Sequence, residues 1–162
     1  MAENKALDVE LTTSSAPSTA RLLLKIAGAW VFPGLGHVLL GRIGRGLLFG
    51  GIVWSCFGLG LAHDGRLALH DPRQPVLSAL QVVANLGMGP VDAVARFGIY
   101  GRPVYAFEGF PDWRSPDAVE RIFRERARSG VSIYGTAYLW TAGLMNLLLL
   151  FDVWDIGLGR KV

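Results

Sequence analysis

Long apolar stretches separated by clusters of charge are the feature that most constrains the fold of this chain. Only 18% of its 162 residues are charged, whereas about a quarter are charged in a soluble domain. The charges gather in the N-terminal tail, in residues 63–75, in residues 101–130 and near the C-terminus. The stretches between them are long enough for hydrophobic helices, so the pattern predicts an all-α integral membrane bundle.

Four apolar runs predict about four transmembrane helices. They are residues 22–40, 46–62, 76–100 and 133–151. The first and the last hold nineteen residues each, and nineteen helical residues cover about 28 Å, close to the hydrocarbon thickness of a bilayer. We therefore expect a single membrane domain over residues 21–158, preceded by a disordered tail over residues 1–20.

Glycine and proline modify the first two runs. Pro33 and Gly34 lie in the middle of the first run, and proline removes a helical hydrogen bond. That run is therefore a kinked helix, a helix followed by a short half-helix, or a re-entrant element. Gly46 and Gly50 are four residues apart, so they share one helix face and allow another backbone to approach closely. We expect these two glycines to pack helices of the same chain.

The third run carries a polar stripe along one side of an otherwise apolar helix. Its members are Ser78, Gln81, Asn85, Asp92 and Arg96. Asp92 and Arg96 are four residues apart, which predicts an ion pair pointing into the bundle near one membrane boundary. Asn146 in the last run is a candidate hydrogen-bond partner for the stripe. The stripe either joins helices together or forms an ion or proton path or a subunit contact.

The segment 101–131 is the longest polar part of the chain. Ser115, Pro116 and Asp117 have the sequence of a helix start, and we expect an amphipathic helix over residues 116–129 on the membrane surface. The residues predicted to bind anionic lipid are Arg121, Arg124 and Arg128. With four spans, this segment shares a side with the turn at 41–46, opposite residues 63–75. Nine basic residues against seven predict that side to be cytoplasmic.

Few residues could carry chemistry. His37 and Asp152 are ionisable groups within or beside apolar runs, where such groups are often functional. Pairs of His and Asp at 63–64 and 70–71 could ligate a metal, but their spacing matches no standard site, so a polar connection is the simpler interpretation. No catalytic motif is present, and the sequence predicts neither an enzyme nor a bound cofactor or metal. It also lacks the basic and aromatic pattern of a nucleic-acid surface.

Two motifs resemble those of a known family. They are Pro-Gly-x-Gly-His-x3-Gly-Arg at 33–42 and Gly-Leu-x-Asn-Leu-x4-Asp at 143–152. Together they resemble an uncharacterised bacterial family of small multi-pass membrane proteins, domain of unknown function 6677, over about residues 21–158. The resemblance implies an architecture, without an activity, cofactor or partner.

Three functions stay open at this point. The first is a non-catalytic accessory, scaffold or assembly subunit of a complex in the bacterial inner membrane, with a protein partner or a second copy. The second is a small transporter, channel or proton-coupled component that uses the polar stripe. The third is a membrane enzyme acting on lipid through His37 and the two loop His-Asp pairs.

Overall fold

The computed structural model describes residues 19–109 and 131–161. Within these ranges the chain forms six α-helices, a short 3-10 turn at 107–109 and one isolated β-bridge. The helices are α1 (Thr19–Val31), α2 (Leu35–Leu39), α3 (Ile43–Ala62), α4 (Pro75–Leu86), α5 (Pro90–Tyr100) and α6 (Ser132–Gly157). The predicted all-α class is therefore confirmed for the described part of the chain.

Helices α3 and α6 form the central pair of the bundle. They run antiparallel, because Gly60 near the end of α3 packs against Leu139 and Gly135 near the start of α6. We call the end where α3 stops and α6 starts the loop end, and the opposite end the C-terminal end. The core between the helices consists of Val53, Phe57, Leu67, Met88, Leu139 and Ala142.

Helices α1 and α2 form a hairpin that enters from the C-terminal end. Leu22 in the first turns of α1 packs on Gly157, and the chain turns back at Pro33 and Gly34. Gly34 has a φ of 89°, a left-handed conformation that glycine adopts without a steric penalty. Of the three forms left open for residues 22–40, the single kinked helix is wrong: a helix is followed by a short half-helix that folds back on it, as in a re-entrant element.

Helices α4 and α5 form a second hairpin, which enters from the loop end. The two helices are bent by 109° at a break of three residues, and the prediction of one helix over residues 76–100 is wrong. Gly89 has a φ of 62° and Pro90 occupies the first turn of α5. These residues end one helix and start another, since glycine permits the turn and proline favours a helix start.

The loop before α4 and the segment after α5 meet at the loop end. The backbone N–H of His70 donates to the carbonyl of Tyr105 over 2.7 Å, and the N–H of Phe107 donates to the carbonyl of His70 over 3.2 Å. The four-span arrangement placed these two segments on opposite sides, so that prediction is wrong. The second hairpin returns to the end from which it started. The comparison of nine basic residues with seven, which predicted the cytoplasmic side, therefore no longer applies.

Two helices, α3 and α6, are long and apolar enough to cross a bilayer. A third span exists only if α4 and α5 are counted as one broken span. The described chain thus offers two to three candidate spans where the sequence predicted about four. The span predicted at 46–62 begins at Ile43, and the one predicted at 133–151 extends from Ser132 to Gly157.

The predicted glycine packing is present within the chain. Gly46 and Gly50 are both buried, and they lie against the backbone of Pro33 and Gly34 at the turn of the first hairpin. A Cβ at either position would collide with a backbone oxygen, so these glycines let the first hairpin dock on α3. Residues 1–18 of the predicted disordered tail lie outside the described residues, and its last two positions are wrong, because the first helix begins at Thr19. The surface helix predicted over 116–129 lies outside the described residues completely.

Candidate functional site

A buried ion pair lies at the loop end of the second hairpin. The Nε of Arg96 donates to Asp92 Oδ2 over 2.7 Å, and both side chains are fully buried. The four-residue spacing predicted this pair, and the pairing is confirmed. Removing one member of such a pair would leave an uncompensated buried charge, which costs about 3–5 kcal/mol.

Arg96 also binds two backbone segments that are distant in sequence. Its Nη1 donates to the carbonyl oxygens of Ala68 and Val104, each over 2.8 Å. Its guanidinium carbon lies 4.3 Å from the centre of the Tyr105 ring, within the range of a cation–π interaction. The single side chain therefore joins α5 to the loop before α4 and to the segment after α5.

The Tyr105 hydroxyl is affected by the same charges. Burial raises its pKa above the ordinary value of 10.0, the Asp92 carboxylate raises it further, and Arg96 acts in the opposite direction. The phenol consequently stays neutral to higher pH than a solvated tyrosine does.

The tip of the second hairpin is held by α6. Gly87 packs on the backbone of Gly143, and the Nδ2 of Asn146 donates to the Gly87 carbonyl over 2.8 Å. Asn146 is fully buried. The predicted hydrogen bond between Asn146 and the polar stripe is therefore wrong for the described residues: its amide donates to the backbone at the helix break, and its Oδ1 has no partner there.

The tips of the two hairpins touch each other. The indole Nε1 of Trp30 donates to the carbonyl of Leu86 over 3.2 Å. A Cβ on Gly89 would collide with the carbonyl of Trp30, so the two backbones are in direct contact. Asn85 lies beside this contact at 1% exposure, and its side-chain nitrogen and oxygen have no hydrogen-bond partner within residues 19–109 and 131–161.

A second buried polar group lies at the C-terminal end. The Nε2 of His37 and Oδ2 of Asp152 are 3.0 Å apart, and His37 is fully buried. The Nζ of Lys161 donates to the other oxygen of Asp152, also over 3.0 Å, and this hydrogen bond raises the pKa of Lys161. The arrangement joins α2 to α6 and fastens the C-terminal segment onto it.

The loop His-Asp pairs do not form a common site. The Nδ1 of His63 lies 2.8 Å from the carbonyl of Leu59, whereas the Nδ1 of His70 lies 3.2 Å from the hydroxyl of Ser78. Across the described ranges, no three His, Cys, Asp or Glu side chains come close enough together to hold a metal ion.

Several residues of this network carried no functional prediction. They are Trp30, Ala68, Gly87, Val104, Gly143 and Lys161. The Gly-x-Gly-Pro sequence at 87–90 was the one available signal, because it is typical of a turn. The lipid-binding prediction for Arg121, Arg124 and Arg128 lies outside the described residues.

Comparison with known proteins gives a family. No curated protein and no solved structure matches the chain. The profile of a family of unknown function, DUF6677, matches residues 24–162, which include both hairpins, both long helices and the motifs at 33–42 and 143–152. The chain belongs to DUF6677.

Proposed function

We propose that this protein is a non-catalytic membrane subunit, an accessory or scaffold component of a complex in the bacterial inner membrane. The observation that carries the proposal is the use of its buried polar side chains. Arg96 and Asn146 donate to backbone carbonyls of the same chain, and Asp92 neutralises Arg96. These groups stabilise the bundle, and their hydrogen bonds keep them in fixed positions.

The long helices support the membrane placement. Twenty residues in α3 and 26 in α6 correspond to about 30 Å and 39 Å, enough to cross the hydrocarbon layer. Their outward residues are large and apolar, which suits contact with lipid or with a partner helix. Strongly exposed aliphatic and phenylalanine residues among them are Leu47, Leu48, Ile133, Leu148 and Phe151.

A second face of α3 suits a neighbouring helix. Gly44, Gly51 and Gly58 recur every seven residues on its outer surface, and no atom of another helix lies near the position of a Cβ at any of them. Small residues let two helix backbones approach closely in a membrane. This face is distinct from the inner one, where Gly46 and Gly50 are already packed.

Purification in mild detergent tests the proposal. The tagged chain should be extracted from membranes together with a stoichiometric partner, either another protein or a second copy of itself. Substituting Gly51→Leu and Gly58→Leu together should remove the partner without unfolding the chain, because both sites are exposed. Gly98→Leu is the matched control, since Gly98 also lies within an exposed helical segment with open space around it.

Two results would contradict the proposal. One is a chain that stays monomeric and free of partners in every mild detergent. The other is a partner whose retention is unaffected by the paired α3 substitutions, or is reduced equally by Gly98→Leu. A chain that stays in the soluble fraction after cell lysis would contradict the membrane placement itself.

A small transporter or channel is the second candidate, and the order of the elements favours it. A hairpin followed by a long helix occurs twice, as α1–α2 before α3 and as α4–α5 before α6. The hairpins enter from opposite ends, which is the inverted arrangement of many transporters with broken helices. Reconstituted in liposomes, such a protein would carry an ion or proton flux that depends on Asn85, the buried amide beside the hairpin contact.

A further inference from the structure

A cavity of about 570 Å³ lies beside the second hairpin at the loop end. Its walls are α4, the first turns of α6 and the loop between α3 and α4. The volume is within the range of sites that bind small molecules. The cavity meets the polar network described above at Ala68, which lines it and whose carbonyl accepts from Arg96.

The cavity extends along α6. Its lining begins at Ser132, the first residue of that helix, and reaches Trp140, which is about 12 Å further along the helix axis. With α6 crossing a bilayer as proposed above, this depth runs from the headgroup region into the first part of the hydrocarbon layer. The inference therefore rests on the proposed membrane placement.

The rim of the cavity is apolar where it faces outward. Ile133, one of its lining residues, is 78% exposed, and Leu77 and Leu80 on the adjacent turns of α4 are also exposed. In a bilayer these side chains meet acyl chains. A ligand that enters sideways from the membrane therefore needs an apolar part as well as a polar part.

The polar part of the lining contains charges of both signs. Arg66 and Asp71 both line the cavity, and the amides of Gln74 and Gln81 lie on the α4 side. Two lining hydroxyls are already used, since Ser78 donates to the Gln74 carbonyl over 2.7 Å and Thr136 donates to the Ser132 carbonyl over 2.9 Å.

Trp140 lies at the deep end of the lining. It supplies an aromatic face of the kind found at the level of lipid headgroups.

We propose that the cavity binds a zwitterionic phospholipid with a phosphoethanolamine headgroup. Arg66 binds the phosphate, because a guanidinium matches phosphate oxygens in geometry and charge. Asp71 binds the ammonium group, and the apolar rim takes the upper acyl chains. An anionic lipid lacks the cation that Asp71 requires, so the acidic residue selects against it.

Native mass spectrometry of the full chain measures this selectivity. The protein is released from detergent after incubation with phosphatidylethanolamine or phosphatidylglycerol of identical acyl chains. We expect phosphatidylethanolamine to be retained about fivefold better, the effect of one favourable charge contact near a lipid surface. Equal retention of the two lipids, or a preference for phosphatidylglycerol, would overturn the proposal.

Asp71→Asn is the decisive variant. The asparagine keeps the side-chain oxygen that accepts from the Arg73 N–H over 2.9 Å, so the turn is preserved while the charge is removed. The preference for phosphatidylethanolamine should disappear, and retention of phosphatidylglycerol should stay or rise. Arg73→Gln is the control, because Arg73 is an exposed neighbour outside the cavity lining. If Asp71→Asn still preferred phosphatidylethanolamine, the assignment of Asp71 to the ammonium group would be refuted.

Soluble phosphoethanolamine distinguishes a lipid from a free headgroup. A lipid site should retain phosphatidylethanolamine in the presence of excess phosphoethanolamine, because the acyl chains contribute to binding. If soluble phosphoethanolamine displaces phosphatidylethanolamine completely at equal concentration, the proposal that the cavity binds a lipid is wrong. Sedimentation with vesicles separates this failure from that of the proposed function, since a membrane protein without headgroup preference would still sediment with them.

Discussion

Trp30 donates a hydrogen bond to the carbonyl of Leu86 over 3.2 Å, although the two residues are 56 positions apart in the chain. Trp30 lies in the last turn of α1, and Leu86 is the last residue of α4. The bond therefore joins the tips of two hairpins that enter the bundle from opposite ends. Their contact holds the tip of each hairpin against the other.

Removing the indole N–H tests the strength of this contact. Trp30→Phe should lower the free energy of unfolding by about 0.5–1.5 kcal/mol. The effect should stay in that range because Leu86 keeps a second donor, the Gly89 N–H, at 2.8 Å. Thermal unfolding in detergent measures the change. Trp154→Phe serves as the control, since Trp154 is an exposed tryptophan on α6, and an equal loss in both variants would contradict a specific role for Trp30.

Gly143 should be intolerant of any side chain. Its Cβ would collide with the carbonyl of Ala84, and backbone cannot yield as a flexible side chain does, so Gly143→Ala should cost about 1–3 kcal/mol of stability. Gly98→Ala, at an open site within α5, should be neutral or stabilise by up to about 1 kcal/mol, since alanine is the better helix former. Chemical unfolding curves of the two variants give the comparison, and a harmless Gly143→Ala would mean that α4 and α6 are not in contact there.

The helical class was predictable because apolar runs and their lengths are local properties of the sequence. The break at 87–89 was missed, because the apolar period of the third run continues on both sides of it through Val83 and Val91. A glycine inside a helix is tolerated, so Gly87 alone does not predict a turn, although the Gly89-Pro90 dipeptide after it is a turn signal. The break is stabilised by α6, which is remote in sequence: Gly143 accommodates Gly87, and Asn146 binds its carbonyl.

The same division between local and remote contacts applies to the candidate site. Asp92 and Arg96 are four residues apart, and their pairing followed from helix geometry alone. His37 and Asp152 were each noted as ionisable residues in or beside apolar runs, but the 115 positions between them gave no reason to pair them. The carbonyls of Ala68 and Val104 were equally unpredictable as acceptors, because any backbone carbonyl can accept and no side chain marks these two.

Arg96 also donates to two backbone carbonyls, and this affects the stability expected for variants of the Asp92–Arg96 ion pair. Asp92→Asn should lower stability by about 3–5 kcal/mol because it leaves Arg96 buried without its counter-charge. Replacing both residues by leucine removes the charges but also leaves the carbonyls of Ala68 and Val104 without their donor. The double variant should therefore recover only part of the loss, since each unpaired buried acceptor costs about 1–3 kcal/mol.

Unfolding of the single and double variants in detergent measures this recovery. Arg45→Gln provides the control, because Arg45 is an exposed arginine and its substitution should change stability by less than about 0.5 kcal/mol. Full recovery in the double leucine variant would show that the two carbonyls do not depend on Arg96. No recovery would show that the charges themselves contribute nothing to the loss.

Tyr105 should make stability depend on pH in the alkaline range. Its pKa is raised in the folded protein from the ordinary value of 10.0, chiefly by burial and then by Asp92, so the folded chain holds the phenol proton more tightly than the unfolded chain does. The resulting stability is fully present below pH 10.0 and is lost as the pH rises through the raised folded-state value.

Tyr105→Phe isolates this contribution from the other groups that titrate at high pH. The difference in unfolding free energy between the wild type and the variant should be constant from neutral pH up to the ordinary tyrosine pKa, then shrink as the pH rises above it. Tyr134→Phe, at an exposed position on α6, is the matched control for the loss of a phenol hydroxyl. If the Tyr105 difference stays flat, or grows with pH, the phenol is not held neutral beside Asp92, and the segment after α5 is not closed over the ion pair.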